Sequence, residues 1–571
     1  MDPPEHTDSP LSASLLPRDS SDRKATNRHK FRTGAKDLFV CILSFKNAAS
    51  IATGPIVAIS LWRFLHIGSD DTGRAAAMVA VISWVFIWWM TEAIPIAVTS
   101  LAPLFLLPVM QIQTASEVSK SYMNDTVFLL IGSFMLATAI EHYDLHRRMA
   151  MKLLTLLGGK LMDPWLLLLG FCVGPGFVSM WVHNTAAAVM MMPVGLGVLE
   201  KAMSTISQVT DEEMEVGEKR QDEGEDFSAA FLGTMEARGK EVEKMHVTRF
   251  AKAVVLAIGY AATIGGMATL TGTGVNLILA GLYESYFPEA EQITYLQWMM
   301  FGLPMACLLL VFLWLLLCVW FCPRSSVPSI ARSLQDSHVL HDIASMGPIS
   351  FAEIAILGVF GILILLWLTR SMGDFGGWSD LFNDYVGNGS VSILMATFLF
   401  IIPNRRREGE KLLSWSHCKA IPWGIILMLG GGFALANGMS ASGLSDVISE
   451  QLDFLQDAPF LLVVPVIAIL TSAMTEFTSN NSAATIFVSL LAQVASSIGL
   501  HPLFLMVPAA AAAQFSFMLP IATPANAIAY SSGYLSSIDM LLVGFFLKLF
   551  GIVSLSIVMP SLGAAVFKTN V

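Results

Sequence analysis

Charge is scarce in this chain. Of its 571 residues only 13% are Asp, Glu, Lys or Arg, against about 25% in an ordinary soluble domain, and 54% are hydrophobic. That balance argues against a water-soluble protein and for one whose outer surface is solvated by lipid. A basic patch of the nucleic-acid-binding kind is missing, so no nucleic-acid partner is expected. The six cysteines, Cys41, Cys172, Cys307, Cys318, Cys322 and Cys418, lie mostly in or beside apolar stretches. They read as small core residues and not as a disulfide framework. No phosphate-binding loop or nucleotide-binding domain is found, so transport is expected to run without ATP, and nothing marks an enzyme. No cleavable signal peptide precedes the first apolar run.

Long apolar stretches are what the chain has instead, at 77–90, 94–109, 165–173, 299–322, 349–367, 425–436, 460–470, 484–497 and 541–559. Crossing about 30 Å of hydrocarbon takes roughly 20 mainly apolar residues. Window counting predicts an all-α polytopic membrane protein with about eleven transmembrane helices. Arg18, Arg23, Lys24, Arg28, Lys30, Arg32 and Lys36 precede the first span and predict a cytoplasmic, disordered segment 1–37. Much of the net charge of -11 lies in an acidic loop, 201–247, expected in the cytoplasm. Thr91-Glu92-Ala93-Ile94-Pro95 breaks the second span and puts a carboxylate near an interface or inside the protein.

Several apolar stretches are interrupted by polar residues, and the interruptions come in pairs. Gly132-Ser133-Phe134 lies against Gly431-Gly432-Phe433, each in a Gly-rich re-entrant hairpin, the first running from Val127 to Leu157 with the polar cluster Glu141-His142-Tyr143-Asp144 at its middle. His183-Asn184-Thr185 matches Ser479-Asn480-Asn481. Thr273-Gly274-Val275-Asn276 matches Thr523-Pro524-Ala525-Asn526. Paired broken segments in two halves mark a secondary transporter with an internal repeat; the repeat is expected to be inverted, with two re-entrant hairpins. A helix that stops in the membrane exposes N–H groups at one new end and C=O groups at the other. An anion takes the first and cations the second. The donors proposed for cations are oxygens only, which suits a hard alkali ion better than a transition metal. Carbonyls near Ser133 and Thr269 with Asn184 form the first set. Thr475, Asn480 and the carbonyl near Ala522 form the second. No Arg or Lys lies in any break, so bound cations and helix dipoles must offset the charge of an anionic substrate. His183 is open to two roles, a structural hydrogen bond or a contact with substrate. Asn, Ser and Thr acting only as glue between packed helices is the bland reading; it explains single polar residues but not their doubled order.

At these residues the chain resembles the divalent anion/sodium symporter family, the di- and tricarboxylate carriers of the INDY type. The family's paired Ser-Asn-Thr signature is met by His183-Asn184-Thr185 and Ser479-Asn480-Asn481, and the likeness runs from about Leu38 to the C-terminus. The resemblance implies an elevator-type, homodimeric transporter that couples sodium to succinate, malate, fumarate or citrate. It implies scaffold helices at 38–122 and 299–418. Transport-domain parts follow at 123–200 (hairpin and broken helix), 248–298 and 419–571 (second hairpin, broken helices and last span). Substrate contacts fall on His183, Asn184, Thr185, Thr273, Ser479, Asn480, Asn481, Thr523 and Pro524. Sodium falls on Ser133, Asn184, Thr269, Gly272, Thr475, Thr478, Asn480 and Ala522. His183 stands where the family has Ser, and this His-Asn start resembles the plant vacuolar dicarboxylate carriers of the family. Plasma and vacuolar membranes both stay open. So do a sodium-independent or proton-linked malate carrier, a sulfate transporter and, more remotely, a channel or receptor.

Overall fold

Helix starts can be traced to local chemistry. Thr294 accepts from Gln297 N–H while the Gln297 side chain accepts from Thr294 N–H, opening helix Tyr295–Phe321. The same reciprocal cap opens Phe351–Thr369 with Ser350 and Glu353, and Ser537–Val558 with Ser536 and Asp539. Each satisfies N–H groups that the first turn of a helix leaves open, ahead of a long apolar run.

The computed structural model describes residues 48–65, 73–158, 163–221, 227–336, 348–371, 376–383, 385–405, 409–444, 447 and 460–569. Segment 1–37 and the start of the first span, near Leu38, lie outside them. The described chain is helical, with one isolated bridge between Pro403 and Lys411 as its β-structure. Among the described residues eight helices are long and apolar enough to cross a bilayer: Ala48–Leu65, Gly73–Thr91, Ala115–His142, Glu241–Gly266, Tyr295–Phe321, Phe351–Thr369, Trp423–Ala441 and Ser537–Val566. Shorter apolar helices, Pro164–Ser179, Asn184–Glu200 and Pro502–Ala512 among them, lie between these. The protein is thus a multi-pass, all-α integral membrane protein. The acidic stretch expected as a loop at 201–247 is helical where described, because helices Asn184–Gln221 and Phe227–Gly266 run into it from both sides.

Gly132-Ser133 and Gly430-Gly431-Gly432 are not themselves points where a helix breaks. They lie inside unbroken helices, Asp125–His142 and Trp423–Ala441. Their glycines serve close packing: a Cβ on Gly132 would fall 2.6 Å from the backbone carbon of Ser392, and one on Gly431 would fall 2.7 Å from Ser100 O. The chain does turn at the polar cluster after the first of these helices, with Asp144 at φ +51°, before helix Leu145–Gly158 begins.

Helices instead stop within apolar sequence at four other places. Pro164–Ser179 gives way to Asn184–Gln221, and Phe227–Gly266 to Gly274–Tyr286. Phe460–Met474 gives way to Asn480–Ile498, and Pro502–Ala512 to Pro524–Ser531. These four breaks carry the polar residues on which the candidate site is built.

Candidate functional site

The first break is a short turn. Ser179 Oγ donates to Asn184 Oδ1 at 2.8 Å, tying the end of one helix to the start of the next. Thr185 N–H donates to His183 Nδ1 at 3.4 Å, a long contact of the kind His501 also makes at a helix start, where it accepts from Leu503 N–H at 3.3 Å. The break at 267–273 crosses this turn closely. A Cβ at Gly265 would collide with Gly176 O, and one at Gly266 with Asn184 Oδ1. Thr269 Oγ1 donates to Met180 O. The carbonyls freed where helix Phe227–Gly266 ends are partly reclaimed by a side chain. Asn276 Nδ2 donates to Gly266 O at 3.1 Å and to Thr269 O at 2.7 Å, meeting the demand that buried backbone groups be paired.

The second pair of breaks repeats this wiring at the same spacing. Thr475 Oγ1 lies 2.7 Å from Asn480 Oδ1, five residues on as in Ser179–Asn184, and 2.8 Å from Ala513 O. Asn526 Nδ2 donates to Ser516 O at 2.9 Å and Leu519 O at 3.1 Å. These carbonyls are ten and seven residues earlier, the separations seen for Asn276. Ser516 Oγ adds a bond to Asn480 Oδ1 at 2.9 Å. The two halves are also linked directly, since Gln514 Nε2 donates to Asn276 Oδ1 at 2.9 Å in a buried contact.

A cavity of about 640 Å³ opens between the breaks. His183, Asn184, Thr185, Thr273, Ser479, Asn480, Asn481, Thr523 and Pro524 all line it, together with Glu476, Thr478 and Ala522. The structure therefore brings every candidate substrate residue to one space. The cation candidates spread further. Asn184, Asn480, Thr478 and Ala522 reach the cavity, whereas Thr269 and Thr475 are buried. Ser133 and Gly272 share a small neighbouring recess with Thr273. Ser133 departs from the expected ligand arrangement. It lies inside an unbroken helix, where a carbonyl is taken by the following turn, and its hydroxyl donates to Leu129 O at 2.7 Å. The remaining donors fit a hard cation: all are oxygens, and the buried Thr478 hydroxyl has no hydrogen-bond partner among the described residues.

Sequence reasoning missed the charged support of the second pair of breaks. Glu476 accepts from Met518 N–H and Leu519 N–H, both at 3.1 Å, and pairs with Lys548. Lys548 also donates to Ser472 O at 2.8 Å. The available signal was a single Lys inside an otherwise apolar helix, since an ionisable residue at such a position normally has a buried partner. No Arg or Lys is among the residues lining the cavity.

The bond from Thr185 N–H bears on His183. An imidazole nitrogen that accepts a hydrogen bond carries no proton, so protonating this ring at Nδ1 breaks a helix cap. Serine caps a helix start equally well. His183→Ser is therefore expected to retain transport, with KM at equal dianion concentration following the same curve as wild type between about pH 5.5 and 7.5. A flattened curve in the variant would show that the ring titrates against the substrate.

Against known proteins, the profile described as "Sodium:sulfate symporter transmembrane region" matches residues 56–567. The chain belongs to the divalent anion/sodium symporter family. Its relatives in the divalent anion/sodium symporter family include the Na(+)/citrate cotransporter of Rattus norvegicus, 34% identical over 93% of this chain and 96% of that one. The sodium-dependent dicarboxylate transporter SdcS of Staphylococcus saprophyticus is 36% identical over 88% and 89%. Solute carrier family 13 member 2 of Oryctolagus cuniculus is 37% identical over 85% and 88%. Among solved structures, the Alcanivorax borkumensis YdaH transporter aligns with a TM-score of 0.50 at 10% identity, covering 79% of this chain and 88% of that one, a likeness of fold alone. As a member of the divalent anion/sodium symporter family, the protein is a transporter and not an enzyme. These mammalian and bacterial relatives lend no support to a specific plant vacuolar affinity.

Proposed function

We propose that the protein couples sodium to the transport of di- and tricarboxylates, with succinate, malate, fumarate and citrate as the substrate class. One observation carries this reading: two sets of breaks with the same hydrogen-bond spacing converge on one cavity, whose lining offers amides, hydroxyls and helix starts but no Arg or Lys. In that cavity the Asn184 and Asn480 amides, with the N–H groups that open their helices, address one carboxylate each. Carbonyl and hydroxyl oxygens around Thr269, Gly272, Thr475, Thr478 and Ala522 take sodium. The sodium charge offsets the dianion where no side-chain cation does, so anion binding depends on sodium. The sodium-dependent dicarboxylate and citrate carriers among the relatives support the substrate class.

The repeated spacing supports an internal repeat, which we take to be inverted, with turns 180–183 and 475–479 as the tips of two re-entrant hairpins within a topology of about eleven spans. The four breaks then move together as a transport domain against scaffold helices drawn from 38–122 and 299–418, in an elevator motion within a homodimer in the plasma or vacuolar membrane. The test is uptake of labelled succinate into proteoliposomes without ATP. Unlabelled malate and succinate are expected to compete more strongly than sulfate or a monocarboxylate. Strong competition by sulfate with none by malate would assign the protein to sulfate transport instead.

A further inference from the structure

The sequence places a carboxylate at Glu92, inside a broken span, and the anion site described above makes no use of it. Helix Gly73–Thr91 ends there, and the chain runs through Ala93 and Ile94 to Pro95, the residue before helix Ile96–Thr99. Glu92 adopts φ +46°, a left-handed backbone that costs free energy for any residue with a Cβ. Met90, Thr91 and Glu92 line the same cavity as the two Asn-centred turns.

The charge balance of that cavity turns on this residue. The other lining carboxylate, Glu476, is matched by Lys548 and by two backbone N–H groups. Glu92 is exposed, and no hydrogen bond or ion pair joins its carboxylate to another described residue. The lining thus presents one unmatched charge, and its sign is that of the substrate. Repulsion between fixed charges grows in proportion to the ligand's charge, so a carboxylate in the wall penalises a trianion more than a dianion.

We propose that Glu92 is a specificity residue that sets the charge limit of the transported anion, disfavouring trianions relative to dianions. This deepens the proposed carboxylate transport and rests on it. The test uses the full-length carrier in proteoliposomes at saturating sodium and about pH 7.5, where succinate is a dianion and citrate mostly a trianion. Citrate and unlabelled succinate compete with labelled succinate in wild type, Glu92→Gln and Glu92→Asp. The readout is the ratio of their half-inhibitory concentrations, which cancels differences in the amount of folded protein. Glu92→Gln is expected to shift this ratio toward citrate by about threefold to tenfold, given a partly solvated site. Glu92→Asp, which keeps the charge, stays within about twofold of wild type. If Glu92→Gln does not transport, the same ratio is read from stabilisation of the purified protein against heat by each anion. An unchanged ratio in Glu92→Gln, or an equal shift in Glu92→Asp, overturns the proposal. Wild type that takes up or binds neither carboxylate overturns the functional reading itself, and this inference with it.

Discussion

Asn480→Ala is expected to abolish measurable transport while leaving the protein folded in the membrane, and Asn184→Ala to do the same. Each amide sits at the first residue of a helix that begins inside apolar sequence. Asn480 Oδ1 is held by Thr475 and Ser516, and Asn184 Oδ1 by Ser179. Alanine removes the group that faces the cavity and strands the hydroxyls that orient it. Loss of a hydrogen bond to a charged partner costs about 1.5–3 kcal/mol, and more where a buried group is left unpaired. That corresponds to roughly tenfold to over hundredfold weaker binding. Radiolabelled succinate uptake, normalised to folded protein by size-exclusion profile, measures it. Wild-type kinetics in either variant would remove that residue from the site.

Lys548→Met is expected to lower the melting temperature and folded yield more than any surface substitution, because it leaves Glu476 charged and buried. Breaking one side of a buried ion pair costs about 3–5 kcal/mol. Here the stranded carboxylate also holds Met518 N–H and Leu519 N–H, so the loss extends into the break between helices Pro502–Ala512 and Pro524–Ser531. The double variant Glu476→Gln with Lys548→Met removes both charges and keeps an acceptor for one N–H. It should recover part of the stability lost in the single variant, since an ion pair replaced as a unit is often near neutral. Thermal unfolding in detergent compares the three proteins. A double variant no more stable than Lys548→Met would show that the two residues act independently.

The parts of the site that could be read from sequence are those written in local sequence. Asn184 and Asn480 stand out because a polar triplet inside an apolar run is costly in lipid without a purpose. Thr273 and Thr523 stand out through the Asn that follows each by three. The charged support was hidden because Glu476 and Lys548 meet only through tertiary packing. Nothing near Lys548 names its partner, although a lone Lys in an apolar helix implies one. The turn after the first Gly-rich segment was legible in the polar cluster Glu141-His142-Tyr143-Asp144 between two apolar stretches, whereas the close packing of Gly132 on Ser392 shows only in three dimensions. The actual turn at 180–183 was visible as an interruption, yet its closing bond from Ser179 lies just outside the triplet that drew attention. Glu92 was legible as an anomaly but not as a cavity residue, since helix Gly73–Thr91 is far in sequence from every other lining segment.

The central claim is that one cavity binds carboxylate and sodium together and moves both. Its most direct test is succinate accumulation in ATP-free proteoliposomes under an inward sodium gradient, set beside potassium and proton gradients imposed separately. The account predicts accumulation above the external concentration with the sodium gradient alone, collapsing when sodium is equal on both sides. Accumulation driven by protons in the absence of sodium, or a strict requirement for ATP, would contradict it.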